Sequence, residues 1–431
     1  MSELIFPNGF LWGAATSSHQ VEGQNIHNDW WAWEQAGKVK ECSGLACDHY
    51  RRFPSDFDLA VQLGHSAHRF SIEWSRVEPT RGAFDETALA HYRDVVQALR
   101  QRKLEPIVTL HHFTTPQWVA EAGGWTNNHV VEWFARYTER VVKELGSLVR
   151  YWVTINEPMV YVHMHYIEGA GPPGAHDLKQ ALRVIEHLIR AHAAGYQALH
   201  RGSPAGMTPK VSIAKYLPVF VPCRRWSPLD RFSAALTDRF FNGAFLDALT
   251  KGRWTVPGLP SYKIPEASGT LDFLGVNFYR RQFIRCGLWT GQWFGQPCGL
   301  SHHAREVKEI TTWMGWEVHP DSFVQTLMRA STLHLPILIT ENGTSMADDA
   351  RRWQFIAQHL QAMRRAMDHG ADVIGYCYWS LLDNFEWAHG FAPRFGLIEV
   401  DYATQQRRMR DSALRYADVC RTNRLELESD R

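Results

Sequence analysis

The chain has 431 residues, 45% of them hydrophobic and 21% charged, which is enough apolar material for a large core and excludes a chain disordered by composition. A formal net charge of +1 excludes the basic footprint of a nucleic-acid or anionic-membrane binder. No uninterrupted apolar run is long enough to span a bilayer. The first residues, Met1-Ser2-Glu3-Leu4-Ile5-Phe6-Pro7, carry neither a basic segment nor an apolar core of signal-peptide length. Seven Cys, an odd number without a C-x-x-C pair, point to reduced thiols of a cytoplasmic protein rather than to a disulfide framework or a zinc ribbon.

Along the chain, short apolar runs alternate with longer amphipathic segments. The runs at Phe10–Thr16, Ala67–Ile72, Pro106–Leu110, Tyr151–Ile155, Val211–Lys215, Phe273–Phe278, Ile337–Thr340 and Val373–Trp379 read as strands apolar on both faces, as in a covered parallel sheet. Between them, Asp85 can cap a helix with the stripe Leu89, Tyr92, Val96 and Leu99. Asn127 or Asn128 can start another, with Phe134, Tyr137, Val141 and Leu145 inward and Gly146 as its stop. Leu178, Leu182, Ile185 and Leu188–Ile189 mark a third helix, and Ile356, Leu360, Met363 and Met367 one before the last strand. Eight strands alternating with helices, with no linker or low-complexity break, favour one closed (β/α)8 barrel domain over residues 1–431, ahead of an open doubly wound sheet.

Two glutamates stand where that fold gathers function, at the C-terminal ends of strands. Glu157, in Thr154-Ile155-Asn156-Glu157-Pro158, follows the fourth run; Glu341, in Thr340-Glu341-Asn342-Gly343, follows the seventh. Arg69, His111–His112, Asn277, Tyr279 and Trp379 crowd other strand ends. Two carboxylates brought together can act as acid/base and nucleophile on an acetal, the chemistry of glycoside hydrolysis. Among 18 Trp some rings could stack on sugar faces, while Trp12, Trp74 and Trp152 read as core.

At these residues the chain resembles glycoside hydrolase family 1, the β-glucosidase family. The likeness runs through Phe6-Pro7-Asn8-Gly9-Phe10-Leu11-Trp12-Gly13-Ala14-Ala15-Thr16, Gln20-Val21-Glu22-Gly23, Arg69-Phe70-Ser71-Ile72-Glu73-Trp74-Ser75-Arg76 and Trp379-Ser380-Leu381-Leu382-Asp383-Asn384-Phe385-Glu386-Trp387. A lone Asn-Glu-Pro is weak, but several long motifs in the family's order are specific. The resemblance implies a (β/α)8 fold, no cofactor and no metal. It implies Glu341 as nucleophile and Glu157 as acid/base. Gln20, His112, Asn156, Glu386 and Trp387 would hold glycone hydroxyls, with Trp379 stacking beneath the ring. Arg69, Asn277 and Tyr279 would surround the nucleophile, and Trp316 would form an aglycone platform.

A retaining mechanism needs the two carboxyl groups about 5–5.5 Å apart, with Glu341 ionised and Glu157 protonated at the start. Arg69 is the candidate cation that decides which of the two stays charged. Glu386 would accept from neighbouring hydroxyls but repel a sugar phosphate, so a neutral hexose is expected. The related phosphoglycosidases carry small and cationic residues there. Glu157 itself departs from the thioglucosidase branch, which has Gln.

Plainer roles stand beside these. Glu157 before Pro158 could simply cap a helix. Glu73 could be an ion-pair partner of a neighbouring Arg, and Arg69 a structural salt bridge. His163 and His165 are a poor metal pair, and His302–His303 receives no role. His111 and His112 point opposite ways along a strand, so one alone should enter the pocket. Phe113 stands where Trp is usual, Thr114 replaces Asp, His19 replaces the frequent Tyr before Gln20, and Gly171-Pro172-Pro173-Gly174 varies a loop that usually reads Ala-Pro-Gly. The expected function is a retaining β-glucosidase that also accepts β-galactosides or β-fucosides. Transglycosylation on the same scaffold and a non-catalytic sugar-binding barrel are the alternatives. A phosphate-handling barrel is disfavoured, because Asn384-Phe385-Glu386-Trp387 occupies the region where a Gly-rich phosphate loop would be.

Overall fold

A computed structural model describes residues 3–287 and 292–427. Eight parallel strands close into a barrel: β1 Leu11–Ala15, β2 Ala67–Ser71, β3 Glu105–His111, β4 Tyr151–Asn156, β5 Lys210–Tyr216, β6 Leu274–Asn277, β7 Ile337–Asn342 and β8 Val373–Trp379. Neighbours pair in sequence order and β8 returns to β1, the (β/α)8 architecture that the alternating runs predict. The barrel interior is filled by one residue from each strand or its entry: Ala15, Ala67, Ile107, Val153, Ala214, Phe273, Leu338 and Cys377. Three of these are alanines, so little bulk is placed under β1, β2 and β5. Arg69, two residues beyond Ala67 and on the same face of β2, lies above this floor.

The outer layer follows from helix-period burial. Helix α1 spans Asp29–Gln35, α2 His49–Gln62 and α3 Glu86–Gln101. The Asp85 side chain accepts from Thr87 and Ala88 N–H and buries the face of Leu89, Tyr92, Val96 and Leu99. Helix α4, Val130–Leu145, starts after Asn127 rather than on it: Asn127 Oδ1 accepts from His129 N–H at 2.8 Å, and His129 occupies the cap position. Helix α5, Leu178–Gly202, packs along α4. Its first predicted core residue, Leu178, is exposed, because it lies in the first turn, beyond the barrel's cover. Helices α6 Pro228–Asp238, α7 Pro320–Ser331, α8 Asp349–Asp368 and α9 Asp411–Thr422 complete the described long helices used below.

An excursion not signalled by the strand pattern sits between β5 and β7. Strand Arg281–Gly287 pairs parallel with Val219–Pro222 on one side and antiparallel with Gln292–Pro297 on the other. Cys223 and Cys298, which extend the two outer strands, are joined by a disulfide. The expectation of seven reduced thiols is therefore corrected for this pair. Pairwise contact across a sheet 75 residues apart in sequence leaves no spacing signal. His303 lies beside the pair, its ligand-type nitrogen within 4.8 Å of the sulfurs, and stacks on Phe283.

Candidate active site

A bulge sets the direction of Glu341 and of Asn156, the residue before Glu157. In β4, Val153 faces Ser212 and Asn156 faces Ala214, so β4 spends three steps where β5 spends two. In β7, Ile339 faces Tyr376 and Asn342 faces Tyr378, again with one extra residue. A β-bulge breaks the strict alternation and re-aims the side chains beyond it. Leu338 points into the barrel, so plain alternation would send Glu341 outward; the extra residue returns it to the interior. Glu157 turns further. Its φ is +45°, a left-handed conformation that non-glycine residues adopt at a cost of about 1–3 kcal/mol and mostly at functional positions. It precedes the short helix Pro158–Val162, but its side chain makes no capping bond. The helix-cap role is thereby corrected, and the carboxyl is left free for the pocket.

A chain of hydrogen bonds joins the two carboxyl groups. Arg69 Nη1 donates to Glu341 Oε1 at 2.5 Å, and Arg69 Nη2 donates to Asn156 Oδ1 at 2.7 Å. Asn277 Nδ2 donates to the same Asn156 oxygen at 3.2 Å and to Glu157 Oε1 at 2.9 Å. Thr340 Oγ1 donates to Asn277 Oδ1 at 2.6 Å, which fixes the orientation of that amide. Tyr279 donates its phenol to the other Glu341 oxygen at 2.6 Å. Glu341 is thus held by a guanidinium and a phenol, while Glu157 accepts one amide. Burial first, and then the Glu341 charge, raise the Glu157 carboxyl to about 8. The same two causes raise Glu386 to about 8. One pocket therefore holds one carboxylate supported by a cation and two carboxyls pushed toward the protonated form.

The remaining predicted residues gather around this core. Asn156 Nδ2 donates to His112 Nε2 at 3.2 Å. His112 lies parallel to Trp379, 5.8 Å between centroids, and to Trp387, 6.3 Å. His111 turns outward against Trp125 and Tyr161, as strand alternation predicts. Gln20 Nε2 is shared among Asn384 Oδ1, Phe385 O and Glu386 Oε2, and Ser17 Oγ donates to Gln20 Oε1. Its amide orients Glu386 as much as it offers groups to a ligand. Trp316 is half-buried, its ring 5.4 Å from that of Tyr279, which holds Glu341. Trp12, Trp74 and Trp152 are buried in the outer core. Among the described residues Glu73 makes no ion pair with an arginine: its carboxylate accepts from the hydroxyls of Ser18, Ser75 and Thr114.

Lys215 was not singled out from the sequence. It is fully buried on β5, one residue past Ala214, whose carbonyl accepts the Glu157 N–H at 2.7 Å. Its ammonium donates to Tyr216 O at 2.7 Å and lies over Phe241, and burial lowers it to about 7. The signal was present: a lysine inside the apolar run Val211-Ser212-Ile213-Ala214-Lys215-Tyr216 has to be paired, neutral or functional.

The sequence profile of Glycosyl hydrolase family 1 matches residues 2–425. The chain belongs to glycosyl hydrolase family 1. A family 1 relative, Beta-glucosidase A of Thermotoga maritima, is 31% identical over 98% of this chain and 99% of its own length. The Bifunctional beta-D-glucosidase/beta-D-fucosidase of Bifidobacterium breve is 31% identical over 95% of this chain and 96% of its own length. Among solved structures, the beta-glycosidase from Pyrococcus horikoshii superposes with a TM-score of 0.91 at 41% identity, over 99% of this chain and 97% of that one. Family 1 enzymes are retaining glycosidases, and this chain is a glycoside hydrolase on a (β/α)8 barrel. Among the described residues no helix is long and apolar enough to cross a membrane.

Proposed function

We propose that this family 1 enzyme is a retaining β-glucosidase with β-galactosidase or β-fucosidase activity, acting as one catalytic domain on small β-glycosides of neutral hexoses. The observation that carries the proposal is the unequal treatment of two carboxyls at the ends of β4 and β7: Arg69 and Tyr279 hold Glu341, while Glu157 is buried and raised to about 8. In the first step a Glu341 oxygen attacks the anomeric carbon, the glycosidic C–O bond breaks, and Glu157 gives its proton to the departing oxygen. In the second step Glu157, now a base, takes a proton from water as its oxygen displaces Glu341 from the sugar. Attack twice on the same carbon restores the starting configuration.

His112, Asn156, Glu386 and Trp387 supply the polar groups for the glycone, Gln20 sets the orientation of Glu386, and Trp379 lies under the ring. A buried carboxyl at Glu386 favours hydroxyls over a phosphate. Trp316, beside Tyr279, supports a flat aglycone or a second sugar, which fits the cello-oligosaccharide end of cellulose breakdown. Relatives named for glucosidase, galactosidase and fucosidase activities support a broad glycone range. A cytoplasmic location remains part of this proposal. Hydrolysis of p-nitrophenyl β-glucoside followed by NMR should show the β anomer of glucose first and the α anomer only by later mutarotation. Initial release of α-glucose would sink the retaining mechanism.

A further inference from the structure

Trp387 sits in an aromatic nest that includes a residue with no role so far, His19. The two rings stack with centroids 5.6 Å apart and planes 13° apart. His19 is 1% exposed and its orientation is fixed at both nitrogens. Asn28 Oδ1 caps α1 by accepting from Trp31 N–H at 2.8 Å, so the Asn28 amide nitrogen must face His19 Nδ1, 3.1 Å away. Nδ1 is then an acceptor, and the proton resides on Nε2, which donates to Glu34 at 2.8 Å. Glu34 is itself buried and accepts from Ser43 N–H and Ser43 Oγ, both at 2.8 Å. A ring tied at two opposed atoms cannot pivot.

The same helix supplies a second hold on Trp387. Trp30 and Glu34 are four residues apart on α1 and so share a face; Trp30 packs on Trp387 with centroids 4.8 Å apart, while Glu34 anchors His19. Trp387 itself has φ of +52°, so its backbone is held in a conformation that costs energy and its side-chain direction depends on these neighbours. Among the described residues nothing accepts from the Trp387 indole N–H, which leaves that donor for a ligand.

We infer that the His19–Glu34 pair, locked by Asn28, fixes the plane of Trp387 and through it sets the preference among glycones that differ at the hydroxyls Trp387 meets. This makes the pair a positioning and specificity-determining device, in contrast to a purely structural buried histidine. The inference rests on the β-glucosidase function proposed above, with Trp387 in the glycone wall.

The experiment compares kcat/KM for p-nitrophenyl β-glucoside, β-galactoside and β-fucoside in wild type, His19→Phe and Glu34→Gln. His19→Phe keeps a flat ring but deletes both anchoring bonds. Its glucoside-to-galactoside ratio should change by at least about fivefold, chiefly through KM, the order of effect expected when one ordinary hydrogen bond to the sugar is weakened. Glu34→Gln keeps the acceptor for His19 but presents an amide to Ser43, and should shift the ratio in the same direction by less. A merely structural role would lower all three substrates by one common factor. Ratios within about twofold of wild type in both variants overturn the inference. If His19→Phe does not fold, Glu34→Gln alone decides, by the same ratio. A wild type without activity on any of the three would instead remove the functional proposal on which the inference stands.

Discussion

Arg69 shows how one buried side chain can serve both stability and chemistry. It is 1% exposed and spends its donors on Thr109, Thr340 O, Glu341 and Asn156. Removing one member of such a pair leaves an uncompensated buried charge, costing about 3–5 kcal/mol. Arg69→Met should therefore lower the urea-unfolding free energy by roughly that amount, and Glu341→Gln in the same chain should restore part of it. Strict additivity of the two losses would show that the pair is not coupled. Glu157 makes a complementary kinetic case. Its substitution by Ala should cost alkyl β-glucosides about 10⁴-fold in kcat/KM, the upper range for general acid catalysis, while p-nitrophenyl glucoside, whose leaving group needs little help, loses far less. The alkaline limb of the wild-type profile, expected near pH 8 where Glu157 ionises, should vanish in the same variant. Equal losses for both leaving groups would assign the proton to another residue.

At the scale of elements, the barrel was legible because each strand is an apolar run with a polar residue at its end, and because Asp85 announces its helix by a capping side chain. The bulges in β4 and β7 were not legible. A residue count along Tyr151–Asn156 or Ile337–Asn342 does not reveal that the partner strand is one step shorter, since register is a property of pairs. Without the bulges, alternation alone would have turned Glu341 into the helix layer. The family motifs carried that information only as a resemblance. Lys215, by contrast, was visible and passed over. The three-stranded excursion was hidden for another reason: its outer strand Val219–Pro222 is only half-buried, and its strands belong to no repeating βα unit. Its disulfide makes a testable demand. Closing a loop of 75 residues stabilises by about 4 kcal/mol when the unfolded chain bears the entropic effect. Cys223→Ser should lower the Tm measured without reductant, and dithiothreitol should bring the wild type down to the variant. Identical melting with and without reductant would show the two thiols unpaired in solution.

Over the whole molecule, the buried titratable groups give opposing pH slopes that meet near neutrality. His65, His111 and His165 are each lowered to about 3, and His192 and His359 to about 4, all chiefly by burial. Unfolding exposes these rings, so below about pH 6.5 the unfolded chain binds more protons than the folded one, and stability falls as pH drops. Glu157 and Glu386 act the other way. Their folded values near 8 lie above the ordinary 4.5, so between those limits the folded protein holds protons that the unfolded chain releases. Their unfavourable contribution is absent below about pH 4.5, grows as pH rises through the window, and levels off above about 8. The active site is thus a standing electrostatic cost that the rest of the fold offsets, in keeping with pKa perturbation at functional sites. Glu157→Gln removes one of these two contributions, with an amide that fits the same space. Its Tm advantage over wild type should be small at pH 5, increase up to about pH 8 and stay constant beyond, with no change in the acid slope set by the histidines. A Tm difference independent of pH would mean that Glu157 ionises at its ordinary value in the folded enzyme, and that burial and the Glu341 charge do not hold its proton.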